Sequence, residues 1–139
     1  MKYHIGMAAV CIAALLAAIP VYAHHPFSAE YDSNKPITMT GMVTRIDWAG
    51  PHAQLYMDVI DDNGNTTKWM MELADPQKLQ TLGWTKDSVK MRDGITINGW
   101  MARDGSNRVN LSYIVLPDGM KLEAGSSYFD GQKQKRITD

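Results

Sequence analysis

Cysteine is all but missing from these 139 residues: the one present, Cys11, lies inside an apolar N-terminal run. A chain this poor in thiols carries no disulfide framework, no Cys-x-x-Cys redox pair and no thiolate metal cage. An excess of charge is missing too, since 14 Lys and Arg face 15 Asp and Glu, a formal net charge of −1. Without clustered Lys and Arg a domain offers little to a phosphate backbone, so nucleic acid is not an expected partner. The sole basic cluster, Lys133-Gln134-Lys135-Arg136, sits in the tail, where such a run reads as a solvated end. There is no Gly-rich phosphate loop, no dinucleotide fingerprint and no recognisable Ser-His-Asp setting, which removes the commonest enzyme signatures. Carboxylates are scattered through turns (Asp61, Asp62, Asp93, Asp104, Asp118), where they serve turn geometry. An enzyme is therefore not expected.

Long apolar runs are also scarce, with one exception. After the short basic start Met1-Lys2-Tyr3-His4, residues Ile5 to Ile19 carry no charge and are apolar apart from Gly6; Pro20-Val21-Tyr22-Ala23 follows. A basic start, an apolar core and small residues before a cut form the layout of a secretory signal peptide, with cleavage expected after Ala23. The run is too short to span a membrane comfortably, which takes about 20 apolar residues. Cys11 is buried in that run with apolar residues after it, so a lipoprotein cut is not expected. The expected location is the periplasm, with no membrane attachment after cleavage. Removal of the leader takes Lys2 and the only cysteine, leaving 13 basic against 15 acidic residues, a formal charge of −2.

The rest is the length of one domain. His24 to Pro36, with two prolines and Asp32-Ser33-Asn34, reads as an extended N-terminal arm over 24–36. Ile37 to Trp48 is a long run rich in β-branched residues with Gly41 near its middle, which predicts a strand that bends or bulges. Beyond the turn Ala49-Gly50-Pro51, Ala53, Leu55, Met57 and Val59 alternate with His52, Gln54, Tyr56 and Asp58, the period of a half-buried strand. Asn63-Gly64 marks a hairpin, and Thr66 to Leu73 returns with Trp69, Met71 and Leu73 on one face. The period then changes. Asp75 is an N-cap, Pro76 a first helical residue and Gly83 a stop, predicting a short helix near 76–82. Strands follow over 94–102 and 108–116, with a short last strand around Met120-Lys121-Leu122 and a polar, loose tail over 125–139.

Three strands, a short helix and two more strands is the order of a Greek-key OB-type barrel, here five- to six-stranded and covering 37–124, with the helix plugging one end. A β-sandwich would require about seven strands. Val43, Leu55, Val59, Trp69, Leu73, Ile97 and Leu111 are the expected core.

The fragments His24-His25-Pro26-Phe27, Gly41-Met42-Val43 with Trp48, Pro51-His52, Gly83-Trp84-Thr85-Lys86-Asp87-Ser88, Arg103-Asp104-Gly105-Ser106 and Leu116-Pro117-Asp118-Gly119 carry a resemblance. Together they resemble a family of small exported bacterial proteins, a domain of unknown function with an OB-like fold. The family's first loop carries Asn-Pro-His where this chain has Gly50-Pro51-His52. The resemblance implies export and fold, and no activity.

Two binding readings follow. The outer face of the second and third strands, with Trp48, Gln54, Tyr56, Lys68, Met70 and Glu72, is the usual OB-type surface for a small molecule, peptide or protein, with Trp100 as a further stacking surface. The alternative is a copper site. A His24 freed by cleavage would chelate through amine and imidazole, with His25 or His52 as a third nitrogen, a donor set suited to Cu(II). Eight methionines outlast the leader; Met57, Met71 and Met101 fall at inward positions, where thioethers fill core gaps. The leading expectation is a non-catalytic binding or accessory protein.

Overall fold

The first strand decides the architecture. β1 runs Tyr31–Asp47, and its two halves have different neighbours. Tyr31 and Pro36–Met42 pair antiparallel with β4 (Gly94–Ala102). Met42–Asp47 pair antiparallel with β2 (Gln54–Ile60). The bend between the halves has two visible causes. The register slips between Val43 and Arg45 as in a bulge, and Gly41 lets the strands come close. A Cβ on Gly41 would lie 2.7 Å from Asp58 O and 2.9 Å from Met57 Sδ. The glycine is thus used for close approach, and the bulge falls just beyond it.

β3 (Thr66–Glu72) returns along β2 through the turn at Gly64, as the Asn-Gly signal requires. Asp61 organises that turn: its carboxylate accepts from Asn63 N, Asn65 N and Asn65 Nδ2. β5 (Arg108–Val115) pairs antiparallel with β4 and, through Arg108–Asn110, parallel with Met70–Glu72 of β3. That parallel contact closes the ring β1-β2-β3-β5-β4. β6 (Lys121–Glu123) adds to β5 as a sixth strand. A five-membered ring in this order, with a helix between β3 and β4, is the OB-type barrel.

Helix α2 (Pro76–Thr81) starts as its sequence demands, with Asp75 Oδ1 accepting from Gln77 N and Lys78 N at 2.9 and 3.1 Å and Pro76 in the first turn. Gly83, at φ +92°, ends it. Leu79 drops fully buried into the barrel end, and Trp84 follows it, donating from Nε1 to Glu123 O at 2.8 Å. Val43, Leu55, Met57, Met71, Leu73, Ile95, Ile97, Val109, Leu111 and Ile114 make the centre of the core. Val59 and Trp69, expected inside, pack against this core from the barrel edge and stay half-buried.

The computed structural model describes residues 25–138; the expected leader over 1–23, Cys11 and His24 lie outside the described residues. Two segments flanking the barrel add helices to the expected one between β3 and β4. The arm is not extended throughout: Phe27–Glu30 form one helical turn, α1, and Tyr31–Pro36 already belong to β1. Past Gly125, where a loose tail was expected, Ser127–Thr138 form helix α3. Ser126 caps it, accepting from Tyr128 N at 3.1 Å. The physical reason is aromatic contact. Trp100 of β4, an expected stacking surface, lies 4.4 Å between ring centroids from Tyr128, 5.6 Å from Phe27 and 5.8 Å from Phe129. Tyr128 also meets Phe27 edge-on at 5.2 Å. Such pairs add about 0.5–1.5 kcal/mol each beyond their buried area, enough to hold two short segments against the barrel.

Candidate functional site

Between α1, α3, α2 and the β1–β2 loop is a cavity of about 610 Å³. Its floor is Leu73-Ala74, just past the end of β3, with Asn110 of β5. Pro26, Phe27 and Tyr128 give aromatic and apolar wall; Pro51 and His52 come from the loop that carries the cis Gly50–Pro51 peptide. Asp75, the N-cap of α2, Lys78 of α2 and Asp130 and Gln132 of α3 also line it, and Ser28, Ser33 and Ser127 add hydroxyls.

The charged groups here are engaged in holding the walls. Lys78 Nζ donates to both oxygens of Asp130, at 3.0 and 2.9 Å, tying α2 to α3. Asp75 caps α2. His52 Nδ1 lies 3.0 Å from Leu73 O. A carbonyl only accepts, so Nδ1 carries the proton in that contact.

Beside the floor runs a partly buried polar chain that joins both flanking segments to the barrel. Tyr31, at the start of β1, donates from its hydroxyl to Glu72 Oε2 at 3.0 Å. Asn110 Nδ2 donates to Glu72 Oε1 and to Ser127 Oγ, each at 3.2 Å, and Ser126 Oγ donates to Asn110 Oδ1 at 2.5 Å. Arg108 pairs with Glu30 at 2.7 Å and approaches the Tyr31 hydroxyl at 3.4 Å. Burial, and next the Glu72 carboxylate, push the Tyr31 phenol above its ordinary value.

The expected site residues divide into separate places. His25 and His52 line the same cavity. His24 lies outside the described residues, and among the described residues no group of three His, Cys, Asp or Glu side chains is placed to hold a metal ion. On the outer face of β2 and β3, Gln54 lies opposite Glu72 and Tyr56 opposite Met70. Tyr56 donates to Gln54 Oε1 at 2.7 Å, and the Arg45 guanidinium stacks over the Tyr56 ring at 3.8 Å. Met70 lies opposite Tyr56, half-buried, and Lys68 lies exposed opposite Asp58. Glu72 turns to Tyr31 and Asn110 instead, and Trp48 packs against Trp84 with centroids 6.4 Å apart.

Phe27, Asn110, Ser127 and Tyr128 were not singled out from the sequence. The one local signal was Gly125-Ser126-Ser127, a cap-like start before an aromatic pair.

The fold and site define an OB-type barrel with a cavity lined in part by its two flanking segments. The chain belongs to a family of unknown function (DUF6152), which matches residues 12–110. Helix α3, one wall of the cavity, lies beyond the matched residues. No curated protein and no solved structure matches the chain.

Proposed function

We propose that this chain is a non-catalytic binding or accessory protein of the periplasm whose ligand occupies the cavity between Phe27, His52 and Tyr128. The observation that carries the reading is the cavity itself. At about 610 Å³ it falls in the size range of small-molecule pockets, roughly 300–1,000 Å³. It is built by five separate chain segments and mixes aromatic wall with a few polar groups, as such pockets do. The ionisable groups favour binding over proton transfer, because Asp75, Lys78 and Asp130 are committed to helix capping and an ion pair. Export is supported by the leader-like layout of residues 1–23.

The test uses a variant that fills the cavity without straining the fold. Gly131 of α3 lines the cavity, and a Cβ built there meets nothing within 4 Å. Gly131→Phe should therefore fold and occlude the space. A small-molecule library screened by thermal shift on exported protein should give compounds that stabilise the natural chain and not the variant. If no compound separates the two proteins, the cavity is not a binding site.

A copper site is the second reading, favoured by His25 and His52 lining one cavity. With His24 at a freed N-terminus, three imidazoles and an amine would be available to Cu(II). Cu(II) titration should show tight uptake that falls in His52→Ala and in a protein with one extra N-terminal residue. Equal uptake by all three forms ends the copper reading.

A further inference from the structure

We infer that the cavity takes a neutral, hydroxyl-rich ring compound, in the chemical class of a short oligosaccharide; this rests on the binding reading above and specifies its ligand. Three properties lead there, two by exclusion.

Anions are poorly served. The amides that open α2 are already bonded to Asp75, and Lys78 places both its contacts on Asp130. With two carboxylates against one ammonium, the formal charge of Asp75, Lys78 and Asp130 is −1 with the imidazoles neutral. A phosphate or nucleotide would meet no uncommitted cation among these groups.

An extended peptide is poorly served as well, because strand addition needs unpaired backbone. The floor has spent its own. Leu73 N donates to Ala53 O, Ala53 N to Ala74 O and Ala74 N to Ala124 O, at 2.9, 3.0 and 3.0 Å. Leu73 O also faces the His52 ring proton. What recognises a ligand here is side chains.

Those side chains are hydroxyls and amides beside aromatic rings. Ser28, Ser33, Ser127 and Gln132 share the cavity with Phe27 and Tyr128. Ser127 Oγ accepts from Asn110 Nδ2, whose partner on the other side is Glu72. The Ser127 hydroxyl therefore keeps its own proton to donate, and it accepts from an amide whose oxygen is itself bonded to Ser126, an arrangement that strengthens the donor at its end. A sugar ring complements this set. Its hydroxyls both donate and accept, and its C–H face is the apolar surface that an aromatic wall buries.

The experiment is an NMR titration of isotope-labelled exported protein. Maltotriose, cellotriose and chitotriose are the neutral probes, with inorganic phosphate, spermidine and a neutral dipeptide amide as comparisons. At least one trisaccharide should shift the Asn110 side-chain amide and the backbone signals of Ser127 and Tyr128. Ser127→Ala should weaken that binding, and Gly131→Phe should weaken it about tenfold or more. No trisaccharide response at millimolar concentration overturns the inference, as does a response that survives Gly131→Phe. Cavity shifts from phosphate, spermidine or the dipeptide alone, lost in Gly131→Phe, overturn the ligand class while leaving the binding reading intact.

Discussion

The Tyr31 hydroxyl lies 3.0 Å from Glu72 Oε2, so the first residue of β1 is bonded to the last of β3 across 41 positions. Asn110 holds the other oxygen of the same carboxylate and passes the connection on to Ser126 and Ser127. Both flanking segments are thus anchored on one side chain of the barrel, close to the strand contact that closes it. Cavity and closure share their supports.

Tyr31 should report on this network at high pH. Burial and Glu72 raise its phenol in the folded chain, whereas the unfolded chain titrates near the ordinary value of 10.0. The folded state therefore holds the proton more tightly. The stabilisation is complete below that value and is lost as pH rises through the unfolded and toward the folded value. Urea midpoints should fall above pH 10 for the natural chain and fall less steeply for Tyr31→Phe. At neutral pH the substitution should cost about 1–3 kcal/mol, because Glu72 loses a donor. Parallel slopes above pH 10 for both proteins would remove Tyr31 as the titrating group.

Two glycines should respond oppositely to alanine. A Cβ on Gly99, at the register slip in β4, would strike Asn110 O and come within 2.7 Å of Val109 Cγ1. Asn110 O is backbone of the neighbouring strand and cannot swing away. Gly99→Ala should destabilise by at least about 1–3 kcal/mol, read from urea unfolding. Gly131→Ala enters open space on a helix and should stabilise by up to about 1 kcal/mol. A Gly99→Ala protein as stable as the natural chain would show that β4 and β5 are not this close.

Trp84 links the α2 end of the barrel to β6. It is 4% exposed, and its indole donates to Glu123 O. Trp84→Ala should cost about 3–5 kcal/mol. Trp84→Phe keeps most of the packing but strands the carbonyl, for about 1–3 kcal/mol. Equal losses in the two variants would mean that the hydrogen bond, not the ring volume, is what the site requires.

Much of the barrel is legible in local sequence because its causes are local. Period-two alternation places Leu55, Met57, Met71 and Leu73 inside, and all four are buried. Asn63-Gly64 sets the hairpin register, and Asp75-Pro76 starts the helix where the cap geometry demands. The cavity was not legible in the same way. Its aromatic wall joins Phe27 to Tyr128, and its polar chain joins Tyr31, Glu72 and Asn110, residues that no local period relates.

Composition and pattern alone determined a thiol-poor, near-neutral, mainly β domain with one capped helix between its third and fourth strands. Backbone propensity and side-chain period act over a few residues, and those features need nothing more. Only the tertiary structure decided that Arg108–Asn110 lie parallel to Met70–Glu72 and close the ring. It alone turned the polar tail into a helix held by Trp100, and brought His25 and His52 to one cavity. Those outcomes depend on which distant surfaces can bury each other's rings and satisfy each other's polar groups, a condition that exists only once the chain has folded back on itself.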